Sequence, residues 1–137
     1  MAVVFKKIQY ADTPVPEVVI ADARDGLSLT TAECTNTFIV NSGQSVGSIH
    51  IHLPNIGPGL YTMVQMTEAG HGWKIYAHIA GTDRIYFDGT LITANWGVGI
   101  TSSIVGNFLT IFSFRSSAAP GYSWIFETGR GLWTASV

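Results

Sequence analysis

Apolar and polar positions along this chain alternate in short runs with a period of two, not the three to four of a helix. Leu27-Ser28-Leu29-Thr30 alternates, and Asn36 to Val40 is β-branched and aromatic before a turn at Asn41-Ser42-Gly43. Val46 to Leu53 alternates again and ends in a loop, Pro54-Asn55-Ile56-Gly57-Pro58-Gly59. Strands are then predicted at Tyr61 to Thr67, Trp73 to Ile79 and Arg84 to Phe87, the last closed by the turn Asp88-Gly89. Leu91 to Thr93, Gly99 to Val105, Phe108 to Phe114 and Tyr122 to Glu127 continue the series, and Trp133 lies in the terminal segment. Short strands separated by Gly, Asn and Pro are the pattern of an antiparallel all-β sandwich or barrel. The best helical candidate, Leu29 to Phe38, is interrupted by Thr and Asn and has no continuous apolar stripe, so no large helix is expected.

Residues 1–20 read differently from residues 21–137, which form one predicted domain. Val3-Val4-Phe5 is apolar, and Pro14 and Pro16 then hold the backbone extended while withholding N–H groups from any ladder. The segment is an edge strand or an extended arm, reaching over its own domain or onto a neighbour. Lys6 and Lys7 follow the first apolar residues instead of preceding them, the wrong layout for a signal peptide.

Composition changes this picture in one respect. Apolar residues make up 47% of the chain and charged residues only 12%, against a usual charged share of roughly 25%. A surface so poor in charge is unusual for a solitary monomer and is explained if part of it is buried against other chains. The net charge of -2, without a basic run, argues against a nucleic-acid partner. No apolar stretch approaches the roughly 18 residues of a membrane span. A single cysteine, Cys34, leaves no intrachain disulfide and no paired-cysteine metal motif.

Candidate chemistry centres on Ile49-His50-Ile51-His52-Leu53. On a strand, His50 and His52 share one face while the aliphatic residues take the other. Two same-face imidazoles hold a metal if a third ligand arrives, and His71, His78, Asp83 and Asp88 are the candidates. None has a recognised ligand spacing, so the ordinary reading is the polar side of a sheet. A nucleophilic Cys34 paired with a histidine, or an acid–base pair among Glu68, Asp83 and Asp88, is similarly outweighed by structural roles. No cofactor is implied. Among the aromatic residues, Phe108, Phe112, Phe114 and Phe126 alternate with polar neighbours and are expected in the core. Trp73 and Trp96, beside glycine-containing turns, are the candidates for a surface binding site.

Several of these segments together resemble a known module. Asp25-Gly26-Leu27-Ser28-Leu29-Thr30, Asn36-Thr37-Phe38-Ile39-Val40-Asn41, Ile49-x-Ile51-x-Leu53-Pro54 and Gly59-x-Tyr61 resemble a short β-module of tailed-phage virion proteins. That module occurs in capsid decoration (cement) proteins, head fibres and tail-fibre tips. Gly81-Thr82-Asp83-Arg84-Ile85 and Phe87-Asp88-Gly89 resemble its further hairpins, and Gly129-Arg130-Gly131-Leu132-Trp133 resembles a fibre-type closing strand. The resemblance implies a jelly-roll-like subunit, a homotrimer, no catalysis, and a place on the outer capsid surface bound to the major capsid protein. The low-charge sheet faces would form the trimer, and Val3, Val4, Phe5, Pro14 and Pro16 would carry attachment. A fibre-tip module binding a receptor or glycan through Trp73 and Trp96 is the alternative. A small cupin-type enzyme using His50 and His52 is the minor one.

Overall fold

The structure is a computed structural model and describes residues 15–20, 24–41, 48–68, 72–77, 83–92, 97–100, 104–115 and 121–135. These residues form an all-β fold of two mixed sheets. The strands are β1 (Glu17–Ile20), β2 (Thr35–Asn41), β3 (Ser48–His52), β4 (Tyr61–Gln65), β5 (Gly72–Tyr76) and β6 (Ile85–Phe87). They continue as β7 (Thr90–Leu91), β8 (Val98–Ile100), β9 (Phe108–Arg115), β10 (Tyr122–Arg130) and β11 (Thr134–Ala135). The large sheet has the order β1-β2-β4-β9-β10-β6-β7 and the small sheet the order β11-β8-β5-β3.

The expectation of an antiparallel fold is corrected by the pairing. β1 with β2, β2 with β4, β3 with β5 and β6 with β10 run parallel. For β2 with β4 and β3 with β5 the cause lies in the order of visits. The chain places β2 in the large sheet, β3 in the small one, β4 beside β2 and β5 beside β3. A strand that leaves its sheet, runs through the other and returns re-enters in its original direction, so neighbours one visit apart are parallel. Hairpin geometry appears where the loop is tight. Asp88 and Gly89, both at positive φ (47° and 86°), join Phe87 to its partner Thr90. Two left-handed central residues are what a two-residue hairpin with right-handed strand twist requires.

Before β2 the chain makes a single 3-10 turn, Ala32–Cys34. Thr30 and Glu33 exchange hydrogen bonds around it: the Glu33 N–H donates to Thr30 Oγ1 (3.2 Å) and the Thr30 N–H to Glu33 Oε1 (2.9 Å). This is the reciprocal arrangement of a capping box. Arg24 then grips both carboxylate oxygens of Glu33 at 3.0 Å each, tying the turn to the preceding segment. At the far end of β2, buried Asn41 accepts the Thr67 N–H (2.8 Å) and fastens the strand to the chain leaving β4.

Both sheets contribute to one hydrophobic cluster. Ile39, Val64, Leu109, Ile111, Trp124 and Phe126 come from the large sheet, and Ile49, Ile51, Trp73, Ile75 and Val98 from the small one. Phe126 is in the core as expected, but Phe108, Phe112 and Phe114 are not. The buried residues of β9 are Leu109 and Ile111, so strand alternation turns the three phenylalanines to the opposite, outer face. β9 is apolar on both parities, and the smaller aliphatic set fits the space between the sheets.

Residues 1–14 lie outside the described residues, and Val3, Val4, Phe5 and Pro14 with them. Pro16 is exposed and accepts the Phe38 N–H (2.9 Å), leading directly into edge strand β1. Its missing N–H is tolerated because, among the described residues, no strand lies beyond β1 in the sheet.

Two outcomes follow from these placements. Phe126→Ala is expected to cost about 3–5 kcal/mol, and Phe112→Ala about 1 kcal/mol or less, in urea unfolding at low protein concentration. Equal costs would put Phe112 back in the core. The hydrogen bonds from Arg24 hold the Glu33 carboxyl below its ordinary range. A depressed folded value means stabilisation that is present above the unfolded pKa and lost as pH falls through the folded one. Stability measured from pH 7 down to pH 3, a window of roughly the carboxylate range, should therefore fall less steeply at its acid end in Glu33→Gln than in the parent.

Candidate functional site

The small sheet carries the two histidines. β3 buries Ile49 and Ile51 and leaves His50 and His52 half-buried on its other face. Across the parallel β3–β5 pair, His50 lies opposite Lys74 and His52 opposite Tyr76. The His52 ring stacks on Tyr76 (centroids 5.3 Å apart, planes at 26°), and His50 meets the same ring edge-on (6.1 Å, 73°). Tyr76 is itself fixed by close approach to Gly97: a Cβ there would lie 2.6 Å from the Ile75 carbonyl oxygen and 2.8 Å from the tyrosine ring. The imidazoles thus serve as packing surfaces around one tyrosine, with a lysine in the adjacent register position where a cation would have to approach. Among the described residues no three His, Cys, Asp or Glu side chains gather in a way that could hold a metal ion. His71 and His78 lie outside the described residues.

Cys34 is fully buried, and burial pushes its thiol up to about 12, with the neighbouring Glu33 adding to the shift. At neutral pH the thiolate, the nucleophilic form, is essentially absent. Asp88 is committed to structure: its Oδ1 accepts the Thr128 N–H (2.7 Å) and its Oδ2 the Thr128 hydroxyl (2.8 Å), pinning the β6–β7 hairpin to β10.

Trp73, a candidate for a surface binding site, is a core residue with 0% exposure. It sits on β5 between Gly72 and Lys74, and the inward parity of its strand takes it between the sheets. Trp96 lies outside the described residues.

The aromatic surface is instead the outer face of the large sheet. β1 and β2 present Val19 and Phe38, β4 presents Tyr61 and Met63, β9 presents Phe112 and Phe114, and β10 and β6 present Ile125 and Tyr86. Their registers place them side by side: Phe38 opposite Met63, Tyr61 opposite Phe112, Phe112 opposite Ile125, Ile125 opposite Tyr86. Tyr61 and Phe112 stack at 6.2 Å and 28°. Val19, on edge strand β1, and Tyr61, at the start of β4, are 54% and 46% exposed. Toward β6 the face dips into an open depression of about 520 Å³ lined by Tyr86, Asp88, Gly89, Phe114, Ile125, Glu127 and Thr128.

Sequence reasoning missed this surface by assigning the phenylalanines of β9 inward. The available signal was apolar residues at both parities of one strand, which marks a strand covered on both sides. Comparison with protein-family models, with curated proteins and with solved structures yields no significant match.

The burial of Cys34 predicts slow chemistry. In the native protein it should resist thiol-specific reagents at pH 7.5, and unfolding in denaturant should expose it to prompt labelling. Rapid labelling of the folded protein, read by mass spectrometry, would contradict the buried placement.

Proposed function

We propose that this protein is a non-enzymatic structural component that assembles with copies of itself through the outer face of the large sheet. The observation that carries the proposal is the set of apolar residues Val19, Phe38, Tyr61, Met63 and Phe112 on the outer face of β1, β2, β4 and β9. Such a face in water forfeits about 25 cal/mol for each Å² of apolar surface left uncovered, and contiguous exposed apolar patches of this kind mark interaction surfaces. The low charged content, 12% of residues, removes the repulsion that would otherwise keep copies apart.

The form of the assembly follows the resemblance to virion modules. In that reading the two sheets close as a jelly-roll-type sandwich and the subunits form a homotrimer. The trimer sits on the outer capsid surface, seated on the major capsid protein. Val3, Val4, Phe5, Pro14 and Pro16 supply the attachment segment. Binding only the assembled, expanded lattice stabilises that lattice by linkage, because a ligand favours whichever state it binds. No proton transfer or covalent step is needed.

Size-exclusion chromatography with light scattering tests this directly. The expected mass is near three times 14.7 kDa, and Phe112→Glu should shift the peak to the monomer while leaving the circular-dichroism spectrum unchanged. A wild-type monomer at micromolar concentration would overturn the proposal.

A further inference from the structure

The depression between β6, β9 and β10 adjoins the patch assigned to self-assembly, Ile125 lying opposite Phe112, but its chemistry is different. Ile125 supplies an apolar floor. Tyr86 and Phe114 meet edge to face (centroids 5.8 Å, planes at 71°), forming a corner of two π-surfaces. The Asp88 carboxylate is held in place by the backbone and hydroxyl of Thr128, so it needs no reorganisation to receive a ligand. Glu127, exposed on the next position of β10, places a second carboxylate at the same rim. Among the described residues that line the depression, none is basic.

Each of these features selects by charge in the same direction. An aromatic face is the negative end of a quadrupole and attracts cations. Two carboxylates at a rim whose described lining holds no basic residue repel an anionic ligand and accept charge-assisted hydrogen bonds from N–H donors. The concave shape and apolar floor accommodate the alkyl stem that carries such a group. We infer that this depression is a binding site for a guanidinium or ammonium group on a short alkyl chain, with Asp88 and Glu127 accepting its hydrogen bonds and Tyr86 and Phe114 packing on it. The same chemistry is offered by a free alkylamine and by an arginine or lysine side chain of another protein.

The site is tested by titrating the purified protein with agmatine, and in parallel with the capped tripeptide Gly-Arg-Gly, by isothermal calorimetry at low salt. Methyl α-glucoside serves as the neutral control. The expected result is saturable binding of a cationic probe, weakened about tenfold or more in Glu127→Gln and weakened also in Tyr86→Leu, with no heat from the glucoside. Glu127 is exposed, so its substitution leaves folding intact. Tighter binding of the tripeptide assigns the site to a protein partner, and tighter binding of agmatine assigns it to a free amine. No binding of either cation to folded wild-type protein, equal affinity in Glu127→Gln, or preference for the glucoside would overturn the inference. The oligomeric mass is read separately, so a monomer that binds agmatine would discard the assembly proposal and keep this site.

Discussion

The antiparallel pairing of β9 with β10 is the interaction on which the rest of the structure depends. These are the longest strands, they lie near the middle of the large sheet, and their register runs from Tyr122 opposite Arg115 to Arg130 opposite Phe108. One face of the pair sends Leu109, Ile111, Trp124 and Phe126 into the core. The other presents Phe112, Phe114 and Ile125 to the outside. A slip of one residue would exchange these two sets, and the core space is filled by the first set alone. The register therefore decides both what holds the fold together and what it shows on its outer face.

The two faces of the molecule differ in what they offer. The outer side of the small sheet is polar and self-satisfied, its histidines packed on Tyr76 and its lysine in register beside them. The outer side of the large sheet is apolar at its β1–β9 end and acidic and aromatic at its β6 end. An apolar area gains free energy by being covered whatever the partner's detailed chemistry, whereas a rim of carboxylates discriminates by charge. An apolar surface and an acidic, aromatic one thus lie toward opposite ends of one sheet. The fixed Asp88 belongs to both fold and site, since the hydrogen bonds that pin the β6–β7 hairpin also orient its carboxylate.

Much of this was legible in the residues, and the failures have identifiable causes. The alternation of Ile49-His50-Ile51-His52-Leu53 correctly assigns the histidines to the face opposite the core, because one parity is wholly aliphatic. Asp88-Gly89 announces its turn, because few other pairs accept two left-handed residues in succession. The spacing Thr30-x-x-Glu33 signals the capped turn that a strand-only reading passes over. Parallel pairing was not legible, since alternation reports which side a residue faces and is silent on which strand lies beside it. The phenylalanines of β9 misled for a related reason: with both parities apolar, size suggested the wrong one. Trp73 became a surface candidate because Gly70-His71-Gly72 before it suggests a turn, although Gly72 is the first residue of β5.

The central claim is that the outer face of the large sheet is covered in the working protein while that of the small sheet is not. Hydroxyl-radical footprinting across a dilution series, read by mass spectrometry, tests this residue by residue. The account predicts that Tyr61, Met63 and Phe112 become protected as concentration rises, while His50, His52 and Tyr76 keep a constant reactivity. Unchanged labelling of Tyr61 and Met63 at every concentration, or protection confined to the histidine face, would contradict it.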